Sequence, residues 1–104
     1  MEIFWRIEAL EHLEDIREYI AQDNPEKALE VWECIYLYAE NLFTITEKPS
    51  LEIGRPGIVK GTRELVVAHY PNYIITYRIR RNDRVEILAV RHGKQLPPKT
   101  YSET

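Results

Sequence analysis

Apolar and polar side chains at the start of the chain follow two different periods. Residues 2–7 are mostly aromatic or β-branched, and apolar side chains occupy every second position. This pattern predicts a short strand. Over residues 9–21 the apolar positions instead recur at helical spacing, with acidic side chains on the other side. This second pattern predicts an amphipathic helix.

A second helix is predicted over residues 25–47, where a broad apolar stripe that includes Trp32 again has helical spacing. Asn24 can cap this helix, and Pro25 suits its first position, where the missing N–H costs nothing. Because the link between the two helices is short, we expect an antiparallel helical hairpin. Proline and glycine in residues 49–62 then predict a loop.

Three strand-like runs follow in close succession, at residues 63–69, 73–81 and 84–92. Turn residues separate them, so the runs predict an antiparallel meander. The predicted order is β-α-α-β-β-β, an α+β fold in which the helical hairpin packs on one face of a mainly antiparallel sheet. The length fits one domain over residues 1–104.

Charge divides the chain into two halves of opposite sign. Residues 1–48 contain 4 Lys or Arg against 12 Asp or Glu, a formal charge of −8. Residues 49–104 contain 10 against 5, a formal charge of +5, so the total of −3 conceals the asymmetry. Such a separation of charge indicates a surface that meets a partner.

The basic side chains of the second half are predicted to share one face of the sheet. On the middle strand, Arg78 and Arg80 alternate with apolar residues and therefore point to the same side. Arginine suits such a surface because its planar fork pairs with carboxylates and phosphates. The residues predicted to bind a target or partner are Arg55, Arg63, Arg78, His92 and Lys94. The alternative is that these are ordinary surface charges, some of them paired with Glu64 or Glu86.

The sequence predicts neither a metal site nor a cofactor. His12 and His69 lack partners at ligand spacing, and Cys34 is the only cysteine, so neither zinc nor an internal disulfide is expected. There is no glycine-rich phosphate loop. No apolar run is long enough to span a bilayer and no secretory signal is visible, so we expect a cytoplasmic protein.

Several segments together resemble the RelE/ParE superfamily, the toxins of bacterial type II toxin–antitoxin modules. The similarity lies in their order and spacing, and it includes the helical region around residues 12–25. The segments that carry it in the second half are Gly54-Arg55, residues 61–67 (GTRELVV), residues 73–79 (YIITYRI), residues 87–92 (ILAVRH) and Pro97. The pattern looks more like the ParE type than the RelE type. The resemblance implies the same β-α-α-β-β-β fold.

The resemblance leaves three functions open. A ParE-like member would trap DNA gyrase, block replication and stabilise a plasmid, with no catalytic chemistry of its own. A RelE-like member would be a ribosome-dependent endoribonuclease that cuts mRNA, with a candidate catalytic set of His92, Arg63, Arg78 and Tyr101. The central arginine of RelE-type members falls on Ile74 here, which disfavours that branch. The third possibility is a non-toxic binding or repressor component.

The resemblance also implies a protein partner. A cognate antitoxin is expected to wrap the chain with a segment that orders on binding and is acidic where it crosses the basic face. Antitoxin pairing is further expected to give higher-order assemblies, and no membrane association is expected.

Overall fold

The computed structural model describes residues 2–41, 54–81, 84–95 and 101. Two helices follow a short first strand, and four strands come after them. The elements are β1 (Ile3–Trp5), α1 (Ile7–Ala21), α2 (Pro25–Glu40), β2 (Arg55–Pro56), β3 (Arg63–Val66), β4 (Tyr73–Arg80) and β5 (Arg84–His92).

The strands form one sheet in the order β1-β5-β4-β3-β2. β1 runs parallel to β5, and every other pairing is antiparallel. The predicted α+β fold with a helical hairpin and a mainly antiparallel sheet is therefore confirmed. The predicted loop over residues 49–62 contains the short strand β2 at the edge of the sheet. Proline is tolerated at position 56 because a residue on an edge strand need not donate a backbone N–H to a further strand.

The helical hairpin begins and turns where local chemistry predicts. The side chain of Asn24 accepts a hydrogen bond from the backbone N–H of Lys27 at 3.1 Å, and Pro25 occupies the first helical position, as predicted. α2 ends at Glu40, before the predicted end; residues 42–47 of that prediction lie outside the described part of the chain.

The core lies between the hairpin and one face of the sheet, which we call the helix side. The helices contribute buried side chains at positions four apart, and the strands contribute alternate residues except on β5, where Ile87 is followed by Val90. The members of this core are Ala9, Leu13, Val31, Ile35, Ala39, Leu65, Val67, Ile75, Tyr77, Val85, Ile87 and Val90. Trp32, expected in the core, packs against it half-buried and stacks on Tyr36 at 5.3 Å between ring centroids.

A β-bulge in the β4–β5 pairing decides which side chains reach the opposite, outer face. Thr76 pairs with Ala89, but the next residue, Tyr77, pairs with Ile87, so Leu88 is the extra residue. The alternation along β5 therefore changes phase at Leu88. Ile87 lies on the helix side, whereas Arg91, an even number of residues later, lies on the outer face.

Candidate functional site

The residues predicted to share one surface are divided between the two faces of the sheet. Arg63 pairs with Tyr77, and His92 pairs with Tyr73, so both point to the helix side. Arg78 lies one position beyond Tyr77 on β4 and points to the outer face. The prediction that Arg63, Arg78 and His92 form one cationic face is therefore wrong, because strand register and the bulge, both non-local, determine the orientation of each side chain.

On the outer face, Arg78 is held by the protein's own carboxylate. Arg78 and Glu86 lie directly opposite each other on β4 and β5, and both are buried. Glu86 Oε1 accepts hydrogen bonds from Arg78 Nε at 2.5 Å and from Arg80 Nε at 3.1 Å. Arg78 is thus part of an internal ion pair, which is the alternative that the sequence left open.

A second buried carboxylate organises the other end of the outer face. Glu64 on β3 is only 5% exposed. Its Oε2 accepts from Arg91 at 2.8 Å, and its Oε1 accepts from Arg55 at 3.3 Å. Arg91 also donates to the backbone carbonyl of Gln95 at 3.0 Å. Both oxygens of Glu64 therefore accept hydrogen bonds from guanidinium groups. The Arg55 side chain is 59% exposed and remains open to solvent.

Tyr101 brings a phenol to this second cluster. Burial raises its pKa, while nearby Thr76 and Arg91 act in the opposite direction. Among the residues that the structure describes, neither the Tyr101 hydroxyl nor Thr76 Oγ1 nor Arg91 Nε has a hydrogen-bond partner of regular geometry. Such a group of buried polar atoms is a setting in which ordered water is expected.

Arg63 serves the structure of the loop that precedes β2. Its guanidinium donates to the backbone carbonyl of Gly54, and the N–H of Gly54 donates to the Tyr77 hydroxyl at 3.2 Å. A Cβ at Gly54 would lie 2.2 Å from the carbonyl oxygen of Glu64, so only glycine fits this close approach. Arg63 therefore anchors the Gly54-Arg55 segment from the helix side.

His92 makes local contacts at the end of β5. Its Nδ1 accepts from the backbone N–H of Lys94 at 3.1 Å, and its own N–H donates to Gln95 Oε1 at 2.8 Å. The ring meets Tyr73 edge-on, with 5.5 Å between the centroids. These contacts fix the imidazole with Nδ1 as an acceptor and leave Nε2 as the nitrogen that can face another molecule. Lys94 is exposed beside it.

Sequence reasoning missed a cleft at the other end of β5. The cleft has a volume of about 480 Å³ and is lined by Phe4, Arg80, Arg81, Arg84 and Glu86. We call it the arginine cleft. The signal that identifies it is the run RIRRNDR at residues 78–84, which places several arginines around one tight connection between β4 and β5.

The remaining candidate groups have structural explanations. His12 Nδ1 accepts from the backbone N–H of Val90 at 3.3 Å. Burial raises the pKa of the half-buried Cys34 thiol, which disfavours the reactive thiolate. Over residues 2–41, 54–81, 84–95 and 101, no group of His, Cys, Asp or Glu is arranged to hold a metal ion. The helices in these ranges are all too short or too polar to span a bilayer.

Comparisons with known proteins agree with the resemblance and with the fold. Residues 3–97 match the family described as "ParE toxin of type II toxin-antitoxin system, parDE". A protein of Sinorhizobium fredii described as "Putative toxin Y4kP" is 44% identical over 97 residues, which are 93% of each chain. A solved structure described as the chromosomal ParDE TA system from P. aeruginosa superposes with a TM-score of 0.72 at 25% identity. The match covers 88% of this chain and 95% of the other. The chain therefore belongs to the ParE family of toxins of type II toxin–antitoxin systems.

Proposed function

We propose that this chain arrests bacterial growth by inhibiting DNA gyrase in the cytoplasm, and that a cognate antitoxin encoded with it prevents this. A module of this kind stabilises the plasmid or chromosomal segment that carries it. The family match supports the toxin role, and the ParE-type pattern of the sequence supports gyrase as the target.

One observation favours inhibition without catalysis over RNA cleavage. In-line attack by a 2′-OH requires a general base or acid and cationic groups that converge on one phosphate. Here Arg63 and His92 lie on the helix side, whereas Arg78 lies on the outer face and pairs with Glu86. Tyr101 lies near Thr76, again on the outer face. The candidate ribonuclease set is therefore split by the sheet.

The structure also changes which residues we propose as contacts for a partner. Arg78 is buried and Arg63 supports the Gly54 segment, so neither is offered as a primary contact. The proposed contact set keeps Arg55 and Lys94, which are exposed. It also keeps the Nε2 edge of His92, because the local hydrogen bond of the ring is made by Nδ1. We further propose that toxin and antitoxin form higher-order assemblies.

The test is expression of the chain without its antitoxin, with DNA synthesis and protein synthesis followed separately by pulse labelling. We expect DNA synthesis to fall first, while protein synthesis continues. The matched variant is His92→Ala: the wild type and the variant alike should leave mRNA uncut, because no catalytic role is proposed for His92.

The alternatives give different results in the same culture. An early fall in protein synthesis, with discrete mRNA cuts that disappear in His92→Ala, would support a ribosome-dependent endoribonuclease. Unaffected growth at normal expression would support a non-toxic binding or repressor component. Either result would contradict the proposed function.

A further inference from the structure

The arginine cleft arises directly from the register of three strands on the outer face. Phe4 on β1 is opposite Glu86 on β5, and Glu86 is opposite Arg78 on β4. Two residues further along, Arg84 on β5 is opposite Arg80 on β4. Because side chains two apart in a strand share a face, these five side chains form two adjacent rows on one surface.

The charges in these rows do not balance. Like charges placed directly opposite each other on neighbouring strands are destabilising, and Arg80 and Arg84 are so placed. Glu86 is buried and already accepts from both Arg78 and Arg80, so it is poorly placed to compensate Arg84 as well. Arg84 pairs at 3.1 Å with Glu2, whose side chain is 75% exposed, and an exposed pair is weak.

Arg81 adds a further positive charge at the mouth of the cleft, where its side chain is exposed. An anion that enters the cleft therefore meets the guanidinium groups of Arg81 and Arg84, which present forked donors that match a carboxylate. Such an anion would also relieve the repulsion between Arg80 and Arg84.

Phe4 adds an apolar surface to the lining of the cleft. Phe4 lies on the edge strand β1 and is 55% exposed. An aromatic ring left open beside arginines favours a ligand that has an apolar side chain next to its negative charge, since each part then finds a complementary surface.

We propose that the arginine cleft binds a short peptide segment of a partner protein in which carboxylates flank an apolar side chain. The carboxylates accept hydrogen bonds from Arg81 and Arg84, and the apolar side chain packs on Phe4. Building on the proposed function, we assign this segment to the antitoxin.

A peptide fits the cleft better than a nucleic acid does. Glu86 and Glu2 stand in or beside the cleft and would repel a continuous phosphate backbone. The helical half of the chain is strongly acidic, with a formal charge of −8 over residues 1–48, so a long polyanion meets an unfavourable field. A short acidic segment needs only the local positive charge.

NMR titration of the full chain with the peptide acetyl-Glu-Leu-Asp-Leu-Glu-amide tests the binding directly. We expect the side-chain Nε–H signals of Arg80, Arg81 and Arg84 to shift together and to saturate. Replacing both Arg81 and Arg84 with Glu should weaken binding about tenfold or more, and Phe4→Ala about threefold or more. Lys60→Glu, a single charge reversal at an exposed loop residue, should change it less than about twofold.

Two further measurements make the result decisive. Arg81→Gln removes one charge without reversing it, so a folded Arg81→Gln variant that binds the peptide as the wild type does would overturn the proposal even if the double variant fails to fold. Five-nucleotide oligothymidylate, titrated at the same ionic strength, should bind more weakly than the peptide. Tighter binding of the oligonucleotide at these arginines would also overturn the proposal.

Co-expression with the cognate antitoxin separates this proposal from the proposed function. Where the wild type arrests growth and the antitoxin restores it, the Arg81→Gln variant should remain toxic and should need more antitoxin for the same recovery. Equal recovery of the two would overturn the assignment of the cleft to the antitoxin. If the wild type alone leaves growth unchanged, the proposed function fails, while the NMR titration still decides whether the cleft binds acidic peptides.

Discussion

At the scale of single residues, two buried carboxylates determine the character of the outer face. Glu64 and Glu86 each accept hydrogen bonds from two arginines, so four of the basic side chains in the second half of the chain have an internal counter-charge. The formal +5 of residues 49–104 is therefore not a uniform cationic surface. The arginine cleft is one place on this face where positive charge exceeds negative charge.

The first prediction concerns the carboxylate that holds Arg78. Replacing Glu86 with Gln leaves a guanidinium buried without its counter-charge, and breaking a buried pair in this way costs about 3–5 kcal/mol. We therefore expect the free energy of unfolding, measured in urea, to fall by that order for Glu86→Gln.

The matched control for this prediction is Glu11→Gln on the exposed surface of α1, which should change the free energy of unfolding by less than about 0.5 kcal/mol. Equal stabilities of the two variants would show that the Arg78–Glu86 pair is not a structural element of the outer face.

Residue-scale prediction from sequence works where the determining contacts are local. Asn24 was predicted to cap α2 because its partner, the Lys27 N–H, is three residues away. Arg63 was instead assigned to a binding surface. Its real neighbours, the Gly54 carbonyl and Tyr77 on the next strand, are brought to it by strand pairing, which no local sequence pattern reveals. The same limit applies to Arg78, for which Glu86 was named only as one possible counter-charge.

At the scale of elements, α1 covers a sheet edge that β1 leaves unpaired. β1 pairs with β5 only as far as Ile87, whereas β5 continues to His92. The backbone N–H of Val90 lies beyond the end of β1 and donates to His12 Nδ1 at 3.3 Å. A buried N–H without an acceptor is costly, and the His12 side chain supplies the acceptor that a longer β1 would have provided.

The second prediction tests this contact. His12→Ala removes the acceptor of the Val90 N–H, which should lower the free energy of unfolding by about 1–3 kcal/mol and speed hydrogen exchange at the Val90 amide. His12→Asn is the matched variant, because its Oδ1 can take the place of Nδ1, and it should retain most of the protection. Unchanged exchange at Val90 in His12→Ala would refute the role.

Elements were predicted more fully than their faces. The order of strands and helices follows from periodicity, and the bounds of β5 were predicted without error at residues 84–92. The bulge between Thr76 and Tyr77 was not predicted, because it depends on how two strands fit together. It changes the phase of β5, and for that reason His92 and Arg78 point to opposite sides. β2 was missed because a two-residue edge strand has no measurable period.

At the scale of the whole molecule, buried tyrosines make the folded state less stable at high pH. Burial raises the pKa of Tyr36, Tyr73 and Tyr101 above their ordinary value of 10.0. The folded state therefore holds these phenolic protons more tightly than the unfolded state does. Their contribution is complete below pH 10 and is lost as pH rises through the folded-state values.

The third prediction follows from that sign. The free energy of unfolding in urea should decrease as pH rises above about 10. The decrease should be smaller in the Tyr73→Phe/Tyr101→Phe double variant, which has no proton to lose at either position. The control is the interval from pH 7 to pH 8, over which these phenols stay protonated. The difference in the free energy of unfolding between the wild type and the double variant should stay constant there. An equally steep alkaline decrease in both proteins would contradict the assignment.

The whole molecule also explains why family membership does not settle the target. The same fold supports more than one activity, and function depends on which side chains a face presents. In this chain the outer face presents paired charges and a cleft, and the candidate nuclease groups do not converge.

The fourth prediction tests the central claim most directly, with purified components. The full chain is added to bacterial DNA gyrase, supercoiled plasmid and ATP, and cleaved DNA is measured after protein denaturation. We expect linear DNA to accumulate in a gyrase-dependent manner and the cognate antitoxin to suppress this accumulation. Normal supercoiling with no trapped cleavage complex, at toxin concentrations that arrest growth in cells, would refute gyrase inhibition by this chain.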